Sequence, residues 1–463
     1  ETTLLAQKIN PAIHWRDWPG QLNAQLHAYS KKTKDDLING IELKALTGNL
    51  RGYPVDAHGS MAWGNKRFNI NDIRLNIGDS QLVMSGGRKE AWNLQAELTA
   101  PDLHTLWPYS RGKLETRINV TGPRLKPHII AKVNGEKLVF EDYRIGVLAG
   151  DFDIDLQTDE KFKTTLSAIE IAKDATHWQS ITLDADGTRT KHQIKLALKN
   201  DTDFIRLVAH AGLNNQQVWG GEIVQTIFNV KDFGEWQQTE PAAFYFTINQ
   251  ATLGPWCLKQ PGAHVCLQGE QKQNIWKANL NAKNLPLTLL ENWAPSHLRL
   301  YGKTNIDTNL YYIPERELTG NLLISTPEGF RLEVAGKEQS FPFGSSKMQA
   351  SLNAKGLDAN INLPAGELGG LTVHFSLPQW NALTGLKSTQ AVTGHLKGSL
   401  TSLAHLNGVF LDYPNLTGSF NTNLRLNGTI GSPLITGDTA VSYTHLTLPT
   451  TIEVCGCVWW GGG

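Results

Sequence analysis

Eight residues separate Cys257 from Cys266 in WCLKQPGAHVCLQGE (256–270), with Pro261-Gly262 between them and His264 close by. Such a pair could ligate a metal, cycle as a redox couple, act as a nucleophile with its partner, or staple a hairpin. A structural zinc site needs four Cys or His ligands, and one short spacing with a lone turn histidine falls short. The redox spacing C-x-x-C is absent as well. Asp151, Asp153 and Asp155 form an acidic row of the kind that holds calcium or hydrolyses a glycoside. Their spacing of two puts them on one side of a strand whose other side carries Phe152, Ile154 and Leu156, so the row reads as a solvated face. DFGEW (232–236) has the D-F-G of kinases without the Gly-rich loop, strand lysine or H-R-D that the chemistry requires.

The 14 histidines are scattered, with no H-E-x-x-H and no pair at helical spacing. G-x-S-x-G, the P-loop and a helix-opening G-x-G-x-x-G are also missing. Trp92, Trp107, Trp276 and Trp293 could stack sugars, but their places within strands and at repeat boundaries suit packing in a core or along the lip of a groove. The chain is expected to be no enzyme and to use no metal or cofactor.

The elements that position these residues follow period two. In AWNLQAELTA, Trp92, Leu94, Ala96 and Leu98 fall on one side, and Asn93, Gln95, Glu97 and Thr99 on the other. Successive strand side chains point to opposite faces, so this is a half-buried strand. Leu114, Ile118 and Val120 repeat the pattern, with Thr116 in phase, against Lys113, Glu115, Arg117 and Asn119. Phe152, Ile154 and Leu156 repeat it again, followed by Ile181 and Leu183, then Ile194, Leu196 and Leu198. Helical patterns are scarce: PLTLLENW (286–293) and KKTKDDLINGIELKAL (31–46) are the best candidates, both short.

A length of 463 residues suits two or three globular domains or one repetitive body. Lys plus Arg and Asp plus Glu balance at 43 each, so no basic excess points to nucleic acid and no polybasic block to an anionic membrane. No apolar run approaches the roughly 18 residues that span a bilayer. With Glu1 first and only three methionines, the chain is expected to be a piece of a longer protein. GKLETRINVTGPRLKPHIIA (112–131) aligns without a gap on GSFNTNLRLNGTIGSPLITG (418–437), matching Gly122 to Gly428, Pro127 to Pro433 and Ile129 to Ile435. LTAPDL (98–103) likewise matches LNAKNL (280–285). Repeated units that each expose one apolar face must stack to bury it. The expected fold is all-β: an elongated, repetitive, curled sheet, a half-pipe with an apolar groove and very few short helices.

LTGNLRGYPVDAHG (46–59), FNINDIRLNIGDSQLVMSG (68–86), ITLDADGTRTKHQIKLAL (181–198), VWGGEI (218–223), WCLKQPGAHVCLQGE (256–270) and LNGVFLDYPNLTGSFNTNLRLNGTIGSPLITG (406–437) resemble the TamB family of translocation and assembly module subunits. The resemblance runs over nearly the whole chain in consistent order. It implies AsmA-like envelope proteins of two-membraned bacteria, a long periplasmic β-structure and an inner-membrane anchor N-terminal to these residues. It also implies a C-terminal region that engages TamA, an outer-membrane barrel of the BamA kind. It further implies bridge-like carriage of phospholipid along an apolar groove. An oxidising periplasm would join Cys257 and Cys266 in a structural disulfide; the alternative is two reduced, partly buried thiols. The pattern stops near the end. SYTHLTLPTT in VSYTHLTLPTTIEVCGCVWWGGG resembles translated sequencing-adapter read-through, so 1–440 is expected to be one continuous segment and 441–463 no part of the natural fold, Cys455 and Cys457 included.

The groove would be lined by Trp92, Leu94, Ala96, Leu98, Leu114, Ile118, Val120, Ile129, Phe152, Ile154, Leu156, Ile181, Leu183, Ile194, Leu196 and Leu198. Some thirty strands about 4.8 Å apart would carry it on the order of 140 Å. Acyl chains could slide there, because apolar contact is non-directional, at about 0.8 kcal/mol per methylene. The competing readings are a scaffold that receives strands of outer-membrane proteins by β-augmentation, and a β-solenoid adhesin or polysaccharide enzyme. A solenoid enzyme would need a short fixed repeat and a carboxylate cluster, and neither is visible.

Overall fold

A computed structural model describes residues 1–442 apart from 34–35, 66, 157–158, 160, 175, 232, 290–296, 335–339 and 407–416. It divides into two compact units, Glu1–Gln260 and Pro261–Gly463.

The first unit is a meander of strands. It opens with β1 (Thr2–Ile9), β2 (Gly20–Lys32), β3 (Leu37–Leu50), β4 (Tyr53–Trp63), β5 (Phe68–Ile77) and β6 (Ser80–Arg88). There follow β7 (Ala91–Ala100), β8 (Ser110–Pro123), β9 (His128–Phe140), β10 (Tyr143–Asp155), β11 (Phe162–Lys173) and β12 (Thr176–Gly187). It ends with β13 (His192–Lys199), β14 (Phe204–Leu213), β15 (Trp219–Val230), β16 (Gly234–Gln238), β17 (Ala242–Phe246) and β18 (Gln250–Gln260). Each strand from β2 to β14 pairs antiparallel with the strands before and after it in sequence. β16 and β17 pair in turn with β15, and both then pair with β18. In such a meander alternate turns share an edge. At one edge the loops 10–19 and 101–109 fold back onto the sheet with 3-10 turns at Pro11–Ile13 and Leu103–Thr105. Trp18 and Leu106 from these loops cover Leu22, Leu50, Val55 and Ile77.

The second unit holds β19 (Ala263–Lys272), β20 (Ile275–Pro286), β21 (Leu298–Ile313), β22 (Glu317–Thr326), β23 (Phe330–Val334) and β24 (Ser340–Phe343). It continues with β25 (Ser346–Asn353), β26 (Gly356–Pro364), β27 (Gly369–Pro378), β28 (Thr393–Leu400), β29 (Ser419–Thr429) and β30 (Ser432–Ser442). Here the meander has one side branch. The second half of β21 pairs with β22, but its first half pairs with β23, which pairs with β24, while β22 goes on to β25. The all-β class, built from repeated antiparallel strands with a few 3-10 turns, is thus what the structure shows.

The internal repeats have a backbone basis. Gly122 and Gly428, matched in the sequence, both sit at left-handed φ, 90° and 94°. Ala100 and Ala282, matched in the second repeat, are both buried, at 0% and 1% exposure. One helical expectation is corrected. KKTKDDLINGIELKAL holds the end of β2 and most of β3. Lys44 is the extra residue of a bulge, since Leu43 and Leu46 face Gly59 and Ala57. A one-residue bulge turns spacing two into spacing three, which imitates a helix. In PLTLLENW residues 287–289 form a 3-10 turn, and the rest, with Trp293, lies outside the described residues. Val441 and Ser442 complete β30 opposite Phe420 and Ser419, and residues 443–463, with Cys455 and Cys457, are likewise outside.

Candidate functional site

Residues directly opposite each other in an antiparallel ladder share a face of the sheet. The register therefore places the expected lining residues on a single face of the first unit. One row runs Leu82, Leu98, Thr116, Val133, Gly150, Leu166, Leu183, Leu196, Leu207 and Thr226. Beside it run Met84, Ala96, Ile118, Ala131, Phe152, Thr164, Ala185, Ile194 and Ala209. Leu114 and Ile181 with Leu198 belong to a third row through Gly135, Leu148 and Ala168. Leu94, Val120, Ile129 and Ile154 form a shorter fourth. Leu156 follows the end of β10, its N–H donating to Pro127 O at 3.1 Å. Trp92 ends β7's inward set, opposite Arg88 and Gly122. All of these expected lining residues are half-buried.

The opposite face carries cross-strand charge pairs beside exposed Ile130, Val147 and Ile169. Arg117 pairs with Glu97 at 2.6 Å and Lys132 with Asp151 at 3.2 Å. His128 Nε2 hydrogen-bonds Asp153 at 2.7 Å, so Asp151 and Asp153 both have cross-strand partners on the outer face. Hydrogen bonding to Glu97 pushes the Arg117 pKa up, and hydrogen bonds from Thr190 and Thr188 pull Asp159 down.

Towards β18 the apolar face fills. Trp219 lies 5.1 Å from Phe244 and 5.6 Å from Phe246, over Ala209 and Ala211. Its indole Nε1–H donates to His192 Nε2 at 2.9 Å, while His192 Nδ1–H donates to Thr188 O at 3.1 Å. Where β16 gives way to β17 the inward face holds a polar knot. Thr226, 2% exposed, donates to Gln238 Oε1 at 2.8 Å, Trp256 Nε1–H donates to Thr226 Oγ1 at 3.1 Å, and Gln238 Nε2 donates to the carbonyls of Ile223 and Glu240. Every member is satisfied, as a buried polar cluster must be. Nothing in the spacing of Thr226, Gln238 and Trp256 announces this knot, because it depends on a break in one strand. Trp236, in the D-F-G look-alike, is a buried core residue whose Nε1–H donates to Phe233 O.

The second unit repeats the apolar face and adds a roof. Leu267, Leu280, Thr308, Leu322, Ala350, Ala359 and Phe375 form one inward row. The β23–β24 hairpin brings Leu332, Phe341 and Phe343 over Leu371, Leu396, Leu400, Phe420 and Leu424, enclosing a pocket of about 400 Å³. A second pocket of about 270 Å³, lined by Leu287, Leu300, Ile324, Phe330, Met348 and Leu363, shares Leu332. Both lie outside the stretch 92–198 that sequence reading selected. The alternation of Phe330, Leu332 and Val334, then Phe341 and Phe343, is the signal that could have found them. Trp276, half-exposed, stands inward opposite Tyr312, and in the first unit Trp107 meets Trp18 edge-on at 5.8 Å. Cys257 on β18 and Cys266 on β19 are each disulfide-bonded, and Cys266 Sγ lies 3.6 Å from His264 Nε2.

Comparison with known proteins follows this geometry. Residues 1–441 match the family described as TamB, N-terminal domain. The translocation and assembly module subunit TamB of Haemophilus influenzae is 19% identical over 352 residues, 68% of this chain and 27% of that protein. The chain therefore spans under a third of the length of this curated relative. No solved structure matches.

Proposed function

Because the chain belongs to the TamB N-terminal domain family, we propose that it is a lipid-carrying length of a translocation and assembly module subunit. In this reading it is no enzyme. It stands in the periplasm, held to the inner membrane by a segment N-terminal to these residues, and moves phospholipid towards an outer-membrane barrel of the TamA kind. Acyl chains lie on the apolar face, headgroups stay in water at its lip, and weak uniform contact lets them pass on.

The observation that carries the proposal is the inward register from Leu82 to Leu207, aliphatic except at Thr116 and Gly150 and flanked by further apolar rows. A half-buried apolar face of this length along one sheet suits a binding surface. The scaffold alternative would use a free strand edge, and among the described residues β1, β24 and β30 are each paired on one side. In the first unit both edges of β2 to β17 are paired.

Leu98→Asp tests the proposal, since it places a carboxylate in the apolar row at a cost of several kcal/mol unless the group takes up a proton or water enters. It should abolish rescue of an envelope-permeability defect by full-length protein. Glu97→Arg, one residue away on the outer face, should be nearly silent, its lost pair with Arg117 costing no more than about 1 kcal/mol. A photo-crosslinking residue at Leu98 should capture phospholipid in cells and one at Glu97 should not. Equal behaviour of inward and outward changes in folded protein would move the scaffold reading ahead.

A further inference from the structure

We infer that the lip of the apolar face beside Arg88 recognises the phosphate of an anionic amphiphile whose chain lies on the strands below. This rests on the lipid-carrying reading above and names the headgroup chemistry of that site. The register sets Arg88 opposite Phe68 on one side and Trp92 on the other, so its guanidinium belongs to the apolar face, at the end of β6. On the same face, Gly86, Met84 and Leu82 follow down the strand.

Arg88 Cζ sits 5.5 Å from the centroid of the Trp92 ring, and its Nε is buried without a hydrogen-bond partner. No carboxylate pairs with it among the described residues, whereas the outward Arg117 and Lys132 both have one. A cation on an apolar face loses hydration, and stacking on an indole restores only part of it. A phosphate oxygen supplies what is missing, through charge-assisted hydrogen bonds that suit the planar fork of arginine. The surroundings agree in sign. Trp92 Nε1–H donates to the backbone carbonyl of Arg124 at 3.3 Å, which ties Arg88 and its indole to the next turn on the same edge. Arg124, Lys126 and Lys89 are exposed there without ion pairs among the described residues, and Glu90 is the one acid in these two turns. Free phosphate is disfavoured as the occupant, because the floor of the site is hydrocarbon and offers an ion nothing.

The experiment uses the chain with a photo-crosslinking residue at Leu98. It is mixed with vesicles holding equal parts of phosphatidylglycerol and phosphate-free diacylglycerol, and the adducts are weighed by mass spectrometry. Phosphatidylglycerol should be favoured roughly threefold, the scale of one solvent-accessible charge pair, and less so as salt rises. Arg88→Met keeps the apolar stem over Trp92 and should equalise the two adducts, with Arg88→Lys recovering part of the preference. An unchanged ratio in Arg88→Met would show that the guanidinium only packs on the indole, and would overturn the inference alone. Absence of any lipid adduct at Leu98 in the unsubstituted lip would overturn the lipid-carrying reading and this inference together. Calorimetric titration with inorganic phosphate should show no saturable binding. Saturable binding that Arg88→Met removes would mark a free-phosphate site instead, and overturn the assignment to an amphiphile.

Discussion

Arg51 shows what single side chains do at the closed edge of the first unit. It occupies the β3–β4 turn at φ 51°, stacks over Trp18 at 5.0 Å and Tyr53 at 5.8 Å, and donates through one terminal nitrogen to the carbonyls of His104 and Thr105. Burial lowers its pKa, with Tyr53 acting the other way. Arg51→Ala frees the 101–109 loop from the turn and should lower stability by about 2 kcal/mol, the scale of hydrogen bonds to a charged group. The shift of the urea midpoint measures this. Arg51→Lys should recover less than half, because an ammonium does not stack on Trp18 and Tyr53 as the planar guanidinium does. The sequence did not mark Arg51, since nothing local says that a turn will meet a loop fifty residues on. Cys257 and Cys266 are the converse case, legible at once as a pair with several possible chemistries. Alkylation under denaturing, non-reducing conditions after periplasmic expression should leave both unlabelled. Labelling of both would support the reduced thiols instead.

At the scale of elements, alternation was the readable quantity. β7, β8, β10, β12 and β13 are legible because their inward sets keep phase. In β3 the bulge at Lys44 breaks phase, and a bulge is chosen by the neighbouring strands as much as by the strand itself. The aligned glycines were legible as repeats, and the structure supplies their cause. At Gly428, φ is 94° and a Cβ would stand 2.6 Å from Ser432 O, so a side chain meets both strain and a clash. Gly428→Ala should destabilise the second unit by about 1–3 kcal/mol. Gly122→Ala, at φ 90°, should cost the first unit a comparable amount in chemical denaturation. A loss in one unit only would mean that the two repeats share sequence without sharing backbone. The β23–β24 roof is faint in the sequence because strands of five and four residues carry little pattern. Its Phe341, 7% exposed against Ala365, Leu400 and Leu403, should cost about 3–5 kcal/mol on replacement by alanine.

At the scale of the whole molecule, composition hides what topology sorts. Equal numbers of acidic and basic residues gave no hint of a binding face, because the outer strands cancel their charges in pairs while Arg88 and the turns beside it do not. What remains testable at this scale is whether the apolar rows act in series. Leu183 lies in the inward row of the first unit and Leu322 in that of the second. Leu183→Ser and Leu322→Ser each roughen the path with one hydroxyl, a milder change than a carboxylate. If lipid must pass both points, their resistances add. Two changes that each slow transfer tenfold then combine to about twentyfold. Two distant changes acting on a single folding or binding equilibrium add their free energies instead, and the same pair would combine to about a hundredfold. Asn321→Asp on the outer face next to Leu322 should leave the rate unchanged in either background. The measurement is the rate of envelope repair in cells carrying full-length single and double variants at matched abundance. A twentyfold loss in the double variant supports a serial conduit, and a hundredfold loss says that the two faces stabilise or bind one object rather than conduct along it.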